Sequence, residues 1–277
     1  ALGVSTFALF ARVSGGTFAK ATDVGSELAC RLEGGIPEDD LQNPGAIADE
    51  IGANVSGVTG MGADVVESVV GASVAAMALG VVVAGGRIMN HFSLLPLLVG
   101  AAGLVASLGG QWLISRLPGG VGRRSLRYGN YLAAPVVLAA LFFLCAYLLP
   151  GPADSWTRYL GFFWSGVAGW ITGMLCGWLA RSNVSPRRTT VRSVVAGTRE
   201  GPALSLIRGL ALGMRSVAAP SLLLAALIGL SYYLGFRTGV PGAGWYAVSV
   251  AIVALLSTAG LQVAVGAYGP ITDNAYG

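Results

Sequence analysis

The length of the apolar stretches constrains this sequence more than any other feature. Beyond about residue 70 acidic residues are rare, and apolar stretches long enough to cross a bilayer follow one another with short polar breaks. Hydrophobic residues make up 54% of the chain and charged residues 11%, whereas soluble domains carry about a quarter charged residues. Within lipid, backbone groups must be hydrogen-bonded internally, and a helix achieves this over one segment. We therefore predict an all-α, polytopic bundle of transmembrane helices.

Breaks at proline and glycine divide the chain into about seven helical segments. Several segments exceed the roughly 20 residues that span a bilayer, so we expect them to project into water. The 42 glycines, together with Ala and Ser, permit close contacts between helices in lipid. Both ends look cut, so we expect residues 1–277 to be one membrane domain that forms part of a longer protein. The predicted segments are residues 1–32, 46–86, 92–115, 128–149, 156–181, 200–236 and 243–275.

Arginines between the segments set the predicted orientation. One side of the membrane receives residues 31–45, 115–127 and 181–192, which carry many more arginines than the loops on the other side. By the positive-inside rule this side is cytoplasmic, and the rule explains the basic pI of about 9.2 without nucleic-acid binding. We predict an integral protein of a bacterial plasma membrane. The single histidine, His91, lies between two apolar segments, where we expect an interfacial position.

Charged residues on the first segment follow helical spacing. Lys20 is the only lysine of the chain, Asp23 follows at i+3, and Glu27 lies four residues further on. A helix places these residues on one broad face together with Arg12 and Arg31. Arg12 lies roughly 12 Å deeper along the axis than Lys20. A charge at that depth usually pairs across helices or lines a wet pathway.

The second segment repeats this arrangement. Asp49 lies near its start, Asp64 lies roughly 22 Å deeper, and Glu67 is one turn below Asp64. We therefore predict an ionic cluster of Arg12, Asp64 and Glu67 at mid-membrane. The alternative is a purely structural pair that locks the two helices together. Two carboxylates need more than one arginine, however, and ionisable residues inside membranes are commonly functional.

An acidic loop, residues 33–48, joins the two segments at the predicted cytoplasmic end. Mg²⁺ takes oxygen ligands and often shares them with substrate phosphates, and lysine binds phosphate as a point charge. Carboxylates repel phosphate unless a metal bridges them, so a site for a metal-bound phosphate compound is the natural interpretation. A merely solvated loop explains Asp40 and Glu50, but not the helical spacing on the first segment. The carboxylates around Lys20 are then Asp23, Glu27, Glu38, Asp39 and Asp49.

Five stretches of the sequence carry a family resemblance. They are FARVSGGTFAKATDVGSEL (10–28), GIPEDDLQNPGAIAD (35–49), GMGADVVES (60–68), GLALGMRS (209–216) and AYGPITDN (267–274). In this order they resemble core segments of the membrane-integral, ion-pumping inorganic pyrophosphatases. Members of that family have about sixteen transmembrane helices. The resemblance implies that this chain is the central part of such a bundle, from the fifth helix to the eleventh.

The resemblance implies hydrolysis of pyrophosphate to two phosphates, coupled to translocation of H⁺ or Na⁺ across the lipid bilayer. It implies that Lys20 and Glu38 bind the substrate, and that Lys20, Asp23 and Asp49 are catalytic. It also implies a homodimer with Mg²⁺ as the cofactor. K⁺ stays open as a second cofactor, because the determinant of K⁺ dependence lies outside this chain. The implied metal ligands are Asp23, Glu27, Glu38, Asp49 and Asp273, and the implied ion gate is Arg12, Asp64 and Glu67.

Two acids of the family pattern are missing. Where the family has Asn-Val-Gly-Asp-Asn-Val-Gly-Asp, residues 50–57 read EIGANVSG, so Ala53 and Gly57 replace aspartates. The resemblance assigns to these positions a metal ligand and the acid that activates the attacking water. Loss of such a base commonly costs orders of magnitude in rate, and loss of Mg²⁺ ligands weakens substrate binding. We therefore expect impaired turnover. Position 266 is also altered, from Asp to Gly.

Three functional hypotheses follow from these residues. The first is an ion-translocating pyrophosphatase with impaired activity. The second is an inactive relative that still binds Mg-diphosphate and acts as a sensor, a regulator or an inactive subunit. The third is a passive channel or secondary transporter that uses the buried ionic set. Glu67 does not decide between H⁺ and Na⁺, because proton pumps and some sodium pumps of the family share this arrangement.

Overall fold

A computed structural model describes residues 1–32, 40, 42–43, 45–88, 90–116, 123–149, 156–183, 185 and 188–274. These residues form helices joined by turns, and none of them forms a strand. The predicted all-α fold is therefore confirmed. In chain order the helices are α1 (Leu2–Leu32), α2 (Ala46–Val83), α3 (His91–Ser115), α4 (Arg123–Leu148), α5 (Trp156–Asn183), α6 (Thr189–Thr198), α7 (Pro202–Phe236), α8 (Ala243–Leu256) and α9 (Ala259–Asn274).

Six of the described segments are long and apolar enough to cross a membrane. The first helix, α1, is not among them, because its charged and polar residues interrupt its apolar character. This finding confirms the predicted class of a polytopic helical membrane protein. The six segments are Ala46–Val83, His91–Ser115, Tyr131–Leu148, Tyr159–Asn183, Pro202–Phe236 and Ala243–Thr272.

The number of helices differs from the prediction in two places. The stretch between the fifth and sixth predicted segments contains a further helix, α6, of 10 residues. So short a helix leaves too little periodicity to be recognised from the sequence. The last predicted segment, residues 243–275, breaks at a turn over residues 257–258 into α8 and α9. The apolar pattern continues across that turn, so the sequence does not reveal the break.

Contacts between residues divide the chain into two compact units. Unit 1 consists of Ala1–Ala75, Gly100–Ala139 and Ser257–Gly277, and unit 2 consists of Ala76–Val99 and Ala140–Leu256. The helices α2, α3 and α4 each contribute residues to both units. The single membrane domain over residues 1–277 stays a prediction.

Small residues bring α1 and α2 together in unit 1. A Cβ added at Gly15 of α1 would lie 3.5 Å from the Cα of Ser56 on α2. A Cβ added at Gly45, just before α2, would overlap the backbone of Ser26 near the end of α1. The middle of α1 contacts a later part of α2, and the end of α1 contacts the start of α2, so the two helices are antiparallel neighbours. Small residues permit this close approach without a large side-chain interface.

A proline inside α3 creates a polar contact in unit 2. Pro96 has no N–H, so the carbonyl of Phe92, four residues earlier, loses its helical donor. The hydroxyl of Tyr246 on α8 donates to this carbonyl at 2.6 Å. Tyr246 is fully buried, and its ring packs edge-on against Phe92 and Phe162 with ring centroids 5.4 Å apart. Because a buried carbonyl without a donor is costly, this contact holds α8 against α3.

A second proline in unit 2 is accommodated in the same way. Pro220 in α7 leaves the carbonyl of Ser216 without its helical donor. The side-chain amide of Asn183, at the end of α5, donates to that carbonyl at 3.4 Å. The approach of α5 to α8 depends on a glycine, because a Cβ at Gly169 would collide with the backbone of Ala251. Unit 2 is therefore held by backbone proximity and by single side-chain hydrogen bonds.

Candidate functional site

One asparagine attaches the acidic loop to α1. Asn43 is buried, and its side-chain amide donates to the carbonyl of Ser26 at 3.2 Å and to the hydroxyl of Ser26 at 3.3 Å. Its side-chain oxygen accepts a hydrogen bond from the N–H of Gly45 at 2.9 Å, which forms the turn that starts α2. An Asn-Pro pair before a helix is a turn signal in the sequence. The contact with Ser26, which fixes the end of the loop, is visible only in the structure.

Lys20 lies on the exposed side of α1, outside the six apolar segments. Its ammonium donates a hydrogen bond to the carboxylate of Asp23, one turn further along. This hydrogen bond and the charge of Asp23 raise the pKa of Lys20 above its ordinary value, and the charges of Glu27 and Asp49 add to the effect. Lys20 is therefore a full cation at neutral pH, surrounded by carboxylates from both α1 and α2.

Three of the predicted metal ligands belong to the described residues. Asp23 accepts the hydrogen bond of Lys20, Glu27 pairs with Arg31, and Asp49 lies in the first turn of α2. Carboxylate oxygens are hard ligands, so this donor set fits Mg²⁺ in its chemistry. No three Asp, Glu, His or Cys residues come close enough to hold a metal ion in the part of the chain that the structure describes.

The remaining predicted ligands lie beyond what the structure describes. Glu38, the predicted substrate and metal ligand, belongs to residues 33–39, which are outside the described ranges. The backbone of Asp273 lies in the last turn of α9, and its side chain is likewise outside the description. The metal site with ligands from the loop and from three helices therefore stays a prediction.

The helix α9 runs against α2 in unit 1. A Cβ added at Gly266 would lie 2.8 Å from the Sδ of Met61, and a Cβ added at Gly57 would lie 4.0 Å from the Cγ of Pro270. These two contacts define an antiparallel register between the helices. The register places the backbone of Asp273 against the first three turns of α2. The structure thus brings the predicted ligand position on α9 to the same end of unit 1 as the start of α2.

Asn54 lies in this part of α2 and was not among the predicted site residues. Its side-chain oxygen, Oδ1, is buried and has no hydrogen-bond partner among the described residues. Buried polar side-chain atoms nearly always have a partner in folded proteins, so this oxygen has an acceptor position left to fill. The register with α9 places Asn54 beside the backbone of residue 273. The only signal in the sequence is an amide side chain within a helix of small and apolar residues.

The positions of the two missing acids are open. Ala53 is exposed, one turn after Asp49. At Gly57 an added Cβ would meet only the Cγ of Pro270, at 4.0 Å, which is ordinary van der Waals contact. Position 53 is therefore exposed, and position 57 has room for a β-carbon.

The predicted ionic cluster of Arg12, Asp64 and Glu67 is present as a contact. The Nε of Arg12 lies 2.6 Å from the Oδ1 of Asp64, and the Nη2 of Arg12 donates to the carboxylate of Glu67. One guanidinium thus joins two carboxylates of α2 to α1. A shallow, open groove follows α1 from Arg12 past Gly16 to Lys20. The cluster and the lysine therefore face a common surface, while the role of the cluster as an ion gate stays a prediction.

The chain matches one protein family over its whole length. The family model described as inorganic H⁺ pyrophosphatase covers residues 1–277. The chain is 37% identical over 276 residues to a putative K⁺-stimulated pyrophosphate-energized sodium pump of Clostridium tetani. It is 38% identical over 275 residues to a K⁺-insensitive pyrophosphate-energized proton pump of Methanosarcina mazei. It is 33% identical over 296 residues to pyrophosphate-energized membrane proton pump 3 of Arabidopsis thaliana.

These relatives are much longer than the chain. The alignments cover 99% to 100% of the chain, but only 36% to 40% of each relative. The chain therefore spans about two fifths of the length of the proteins that it matches. The similarity extends across all the described helices and across both units.

Proposed function

Because residues 1–277 belong to the inorganic H⁺ pyrophosphatase family, we propose that they are part of a membrane pyrophosphatase that couples Mg²⁺-dependent pyrophosphate hydrolysis to ion translocation. The observation that carries this proposal is the groove along α1. This groove runs from Lys20, a cation suited to a phosphate group, to Arg12. Arg12 lies deeper along α1 and pairs with two carboxylates of α2. A binding position for the anionic substrate and an ionic cluster thus share one helix face.

The proposed substrate site lies at the loop end of α1 and α2. Lys20 binds a diphosphate oxygen as a point charge. Asp23, Glu27, Glu38, Asp49 and Asp273 are the proposed holders of Mg²⁺, with Lys20, Asp23 and Asp49 as the catalytic set. When bound, the metal neutralises the charge of the substrate, which the carboxylates alone repel. Asn43 supports the site by fixing the end of the acidic loop to α1.

The proposed coupling site is the Arg12 cluster. One guanidinium against two carboxylates leaves one net negative charge, as long as both Asp64 and Glu67 are ionised. A single H⁺ or Na⁺ neutralises this charge, so the cluster suits a monovalent cation. Charges within the apolar part of a membrane protein typically mark ion pathways. We propose that the ion passes this cluster and that the loop end of α1 faces the cytoplasm of a bacterial cell.

The proposed enzyme turns over slowly. Ala53 and Gly57 supply no carboxylate in the two turns after Asp49, so a water molecule at these positions lacks the base that the family pattern provides there. General bases typically contribute about 10²–10⁴-fold to the rate, and we expect a deficit of that order. The same observation favours a second candidate function, a protein that binds Mg-diphosphate without hydrolysing it.

Restoring the acids tests the proposal. The full-length protein in vesicles is supplied with Mg²⁺ and pyrophosphate, and both phosphate release and ion uptake are measured. The double variant Ala53→Asp with Gly57→Asp should release phosphate about 100-fold faster than the natural sequence. The variant Ala53→Asn with Gly57→Asn is the matched control, because it has the same size without the charge.

The other outcomes separate the alternatives. Diphosphate binding without phosphate release, in both the natural and the restored protein, would establish the non-hydrolysing binder. Ion flux that ignores diphosphate would establish a passive channel. If the restored protein neither releases phosphate nor takes up ions, the proposed pump is wrong.

A further inference from the structure

A pocket in unit 2 lies where α2 turns into α3. Its walls come from the last turns of α2, from the turn itself and from the first two turns of α3. Gly85 and Gly86 make the turn, with φ angles of 68° and 88° that suit glycine. The pocket is separate from the α1 groove and contains none of the residues of the proposed pyrophosphatase site. Its lining includes Met77, Arg87, Asn90, His91, Leu94 and Leu97.

The sequence places this pocket at a membrane–water boundary. Arg87 separates two uncharged stretches, residues 68–86 and residues 88–115. These stretches belong to two of the segments that are apolar and long enough to cross a membrane. The turn between two such segments lies near the headgroups, where arginine and histidine are tolerated. From the turn the pocket extends along Leu94 and Leu97, roughly two helical turns into α3.

The pocket has a polar end and an apolar end. Arg87 and His91 stand at the turn, and neither side chain makes an ion pair or a hydrogen bond with any described residue. Asn90 is already engaged, because its side-chain amide donates to the carbonyl of Arg87 and its side-chain oxygen caps the N–H of Ser93 at 2.8 Å. The N–H donors of Arg87 and His91 are therefore the ones left for a ligand.

The apolar end is exposed although it is aliphatic. Leu94 is 41% exposed, Leu97 is 49% exposed and Ile88 in the turn is 80% exposed. Exposed aliphatic side chains next to an unpaired guanidinium suit an amphiphilic ligand better than a small ion. A free phosphate would satisfy the polar end and leave the leucines uncovered. An acyl chain covers them while its headgroup reaches the polar end.

We propose that this pocket binds one anionic phospholipid. The headgroup phosphate accepts hydrogen bonds from Arg87 and His91, and one acyl chain lies along Met77, Leu94 and Leu97. Arginine is well suited to this role because its planar guanidinium presents paired donors to a phosphate. The site is distinct from general solvation by lipid, since it joins the hydrogen-bond donors of Arg87 and His91 to a defined apolar wall.

Native mass spectrometry of the full-length protein in detergent tests the proposal. Phosphatidylglycerol and phosphatidylcholine are added in turn, and the bound fraction is measured. The natural protein should retain phosphatidylglycerol in preference to phosphatidylcholine. The double variant Arg87→Gln with His91→Gln should lower phosphatidylglycerol affinity about tenfold, as expected for lost charge-assisted hydrogen bonds. Leu97→Trp, which fills the apolar wall, should weaken the binding of both lipids.

Arg237 provides the matched control. It lies in the turn after α7, in the same unit, and it contacts the ring of Tyr233 and not the pocket. Arg237→Gln should change phosphatidylglycerol affinity less than twofold. Equal losses in the Arg87/His91 double variant and in Arg237→Gln would overturn the proposal in favour of general charge attraction. Displacement of the lipid by millimolar inorganic phosphate, or unchanged binding in Leu97→Trp, would overturn it in favour of a simple anion site.

Discussion

The α1–α2 pair of unit 1 and the helices α5, α7 and α8 of unit 2 hold their polar groups in opposite ways. In the α1–α2 pair the charged side chains are partly exposed, and Lys20 is 73% exposed. At the two prolines of unit 2, Pro96 and Pro220, the polar contacts are single and neutral, and the hydroxyl of Tyr246 is fully buried against the carbonyl that Pro96 has freed. The ion pair of Arg208 with Glu200 in the same unit is partly exposed. Exposed ionic contacts contribute little to stability, whereas a buried carbonyl without its donor is costly.

This difference assigns separate tasks to the two regions. Small residues already bring α1 and α2 close together at Gly15 and Gly45, so we expect the charges of these helices to be available for binding and for transport. The neutral contacts at Pro96 and Pro220 in unit 2 serve packing. Substitutions in the first region should change activity, and substitutions in the second should change stability.

The largest expected effect comes from removing the one cation of the ionic cluster. Arg12→Gln leaves Asp64 and Glu67 together without a partner. Charges within membrane segments typically mark ion pathways, and loss of the guanidinium changes the net charge of the cluster from −1 to −2. Ion uptake by vesicles should fall below a tenth of its natural value, and Arg12→Lys should restore part of it. Unchanged uptake in Arg12→Gln would mean that the cluster only locks two helices.

Loss of the Tyr246 hydroxyl should lower stability and leave diphosphate binding unchanged. Tyr246→Phe leaves the carbonyl of Phe92 without a donor, which should cost about 1–3 kcal/mol in free energy of unfolding. Tyr232→Phe is the control, because Tyr232 is 40% exposed and its ring packs edge-on against Trp245. Denaturant unfolding of the purified protein measures both changes. An equal effect of the two variants would contradict the proposed partner of the Phe92 carbonyl.

The contact between the last turn of α2 and the first turn of α3 should be disrupted by one added methyl group. A Cβ at Gly80 would lie 2.6 Å from the backbone carbonyl of Phe92. Because backbone cannot move aside cheaply, Gly80→Ala should destabilise the protein by about 1–3 kcal/mol. Gly229→Ala is the control in the same unit, since no atom lies within 4 Å of an added Cβ there. A thermal shift of the same size in both variants would show that the contact is loose.

The smallest effect is expected for the exposed pair on α1. Arg31→Gln removes the partner of Glu27, one turn apart on a helix surface. Such pairs contribute about 0.2–0.5 kcal/mol, so the unfolding midpoint should hardly move. A loss larger than that of Tyr246→Phe would reverse the distinction between the two regions.

The ionic contacts of the first region could be predicted from the spacing of charged residues in the sequence. Arg12, Lys20 and Asp23 follow helical periodicity, and the predicted contact of Arg12 with two acids of α2 is present. The polar contacts of the second region could be predicted only in part. A proline in the sequence shows that a carbonyl loses its helical donor, but not which side chain donates to that carbonyl instead. The partnership of Tyr246 with Phe92 joins residues far apart in the sequence.

The sequence does not identify residues whose roles depend on contacts with distant parts of the chain. Asn43 is one of many polar residues in the loop, and only the structure shows that it is buried against Ser26. The open acceptor position of Asn54 depends on how α9 packs against α2, which no local pattern encodes. The short helix α6 and the turn between α8 and α9 were missed because length and apolar pattern gave no signal there.

Binding of a non-hydrolysable diphosphate to the full-length protein tests the function of the first region most directly. Calorimetry in the presence of Mg²⁺ compares the natural protein with Lys20→Met, and Arg237→Met, which lies outside the proposed site, is the control. We predict that the natural protein and Arg237→Met bind equally and that Lys20→Met binds roughly tenfold more weakly, because a charge-assisted contact is lost. Equal affinities of all three proteins would contradict a diphosphate site on α1.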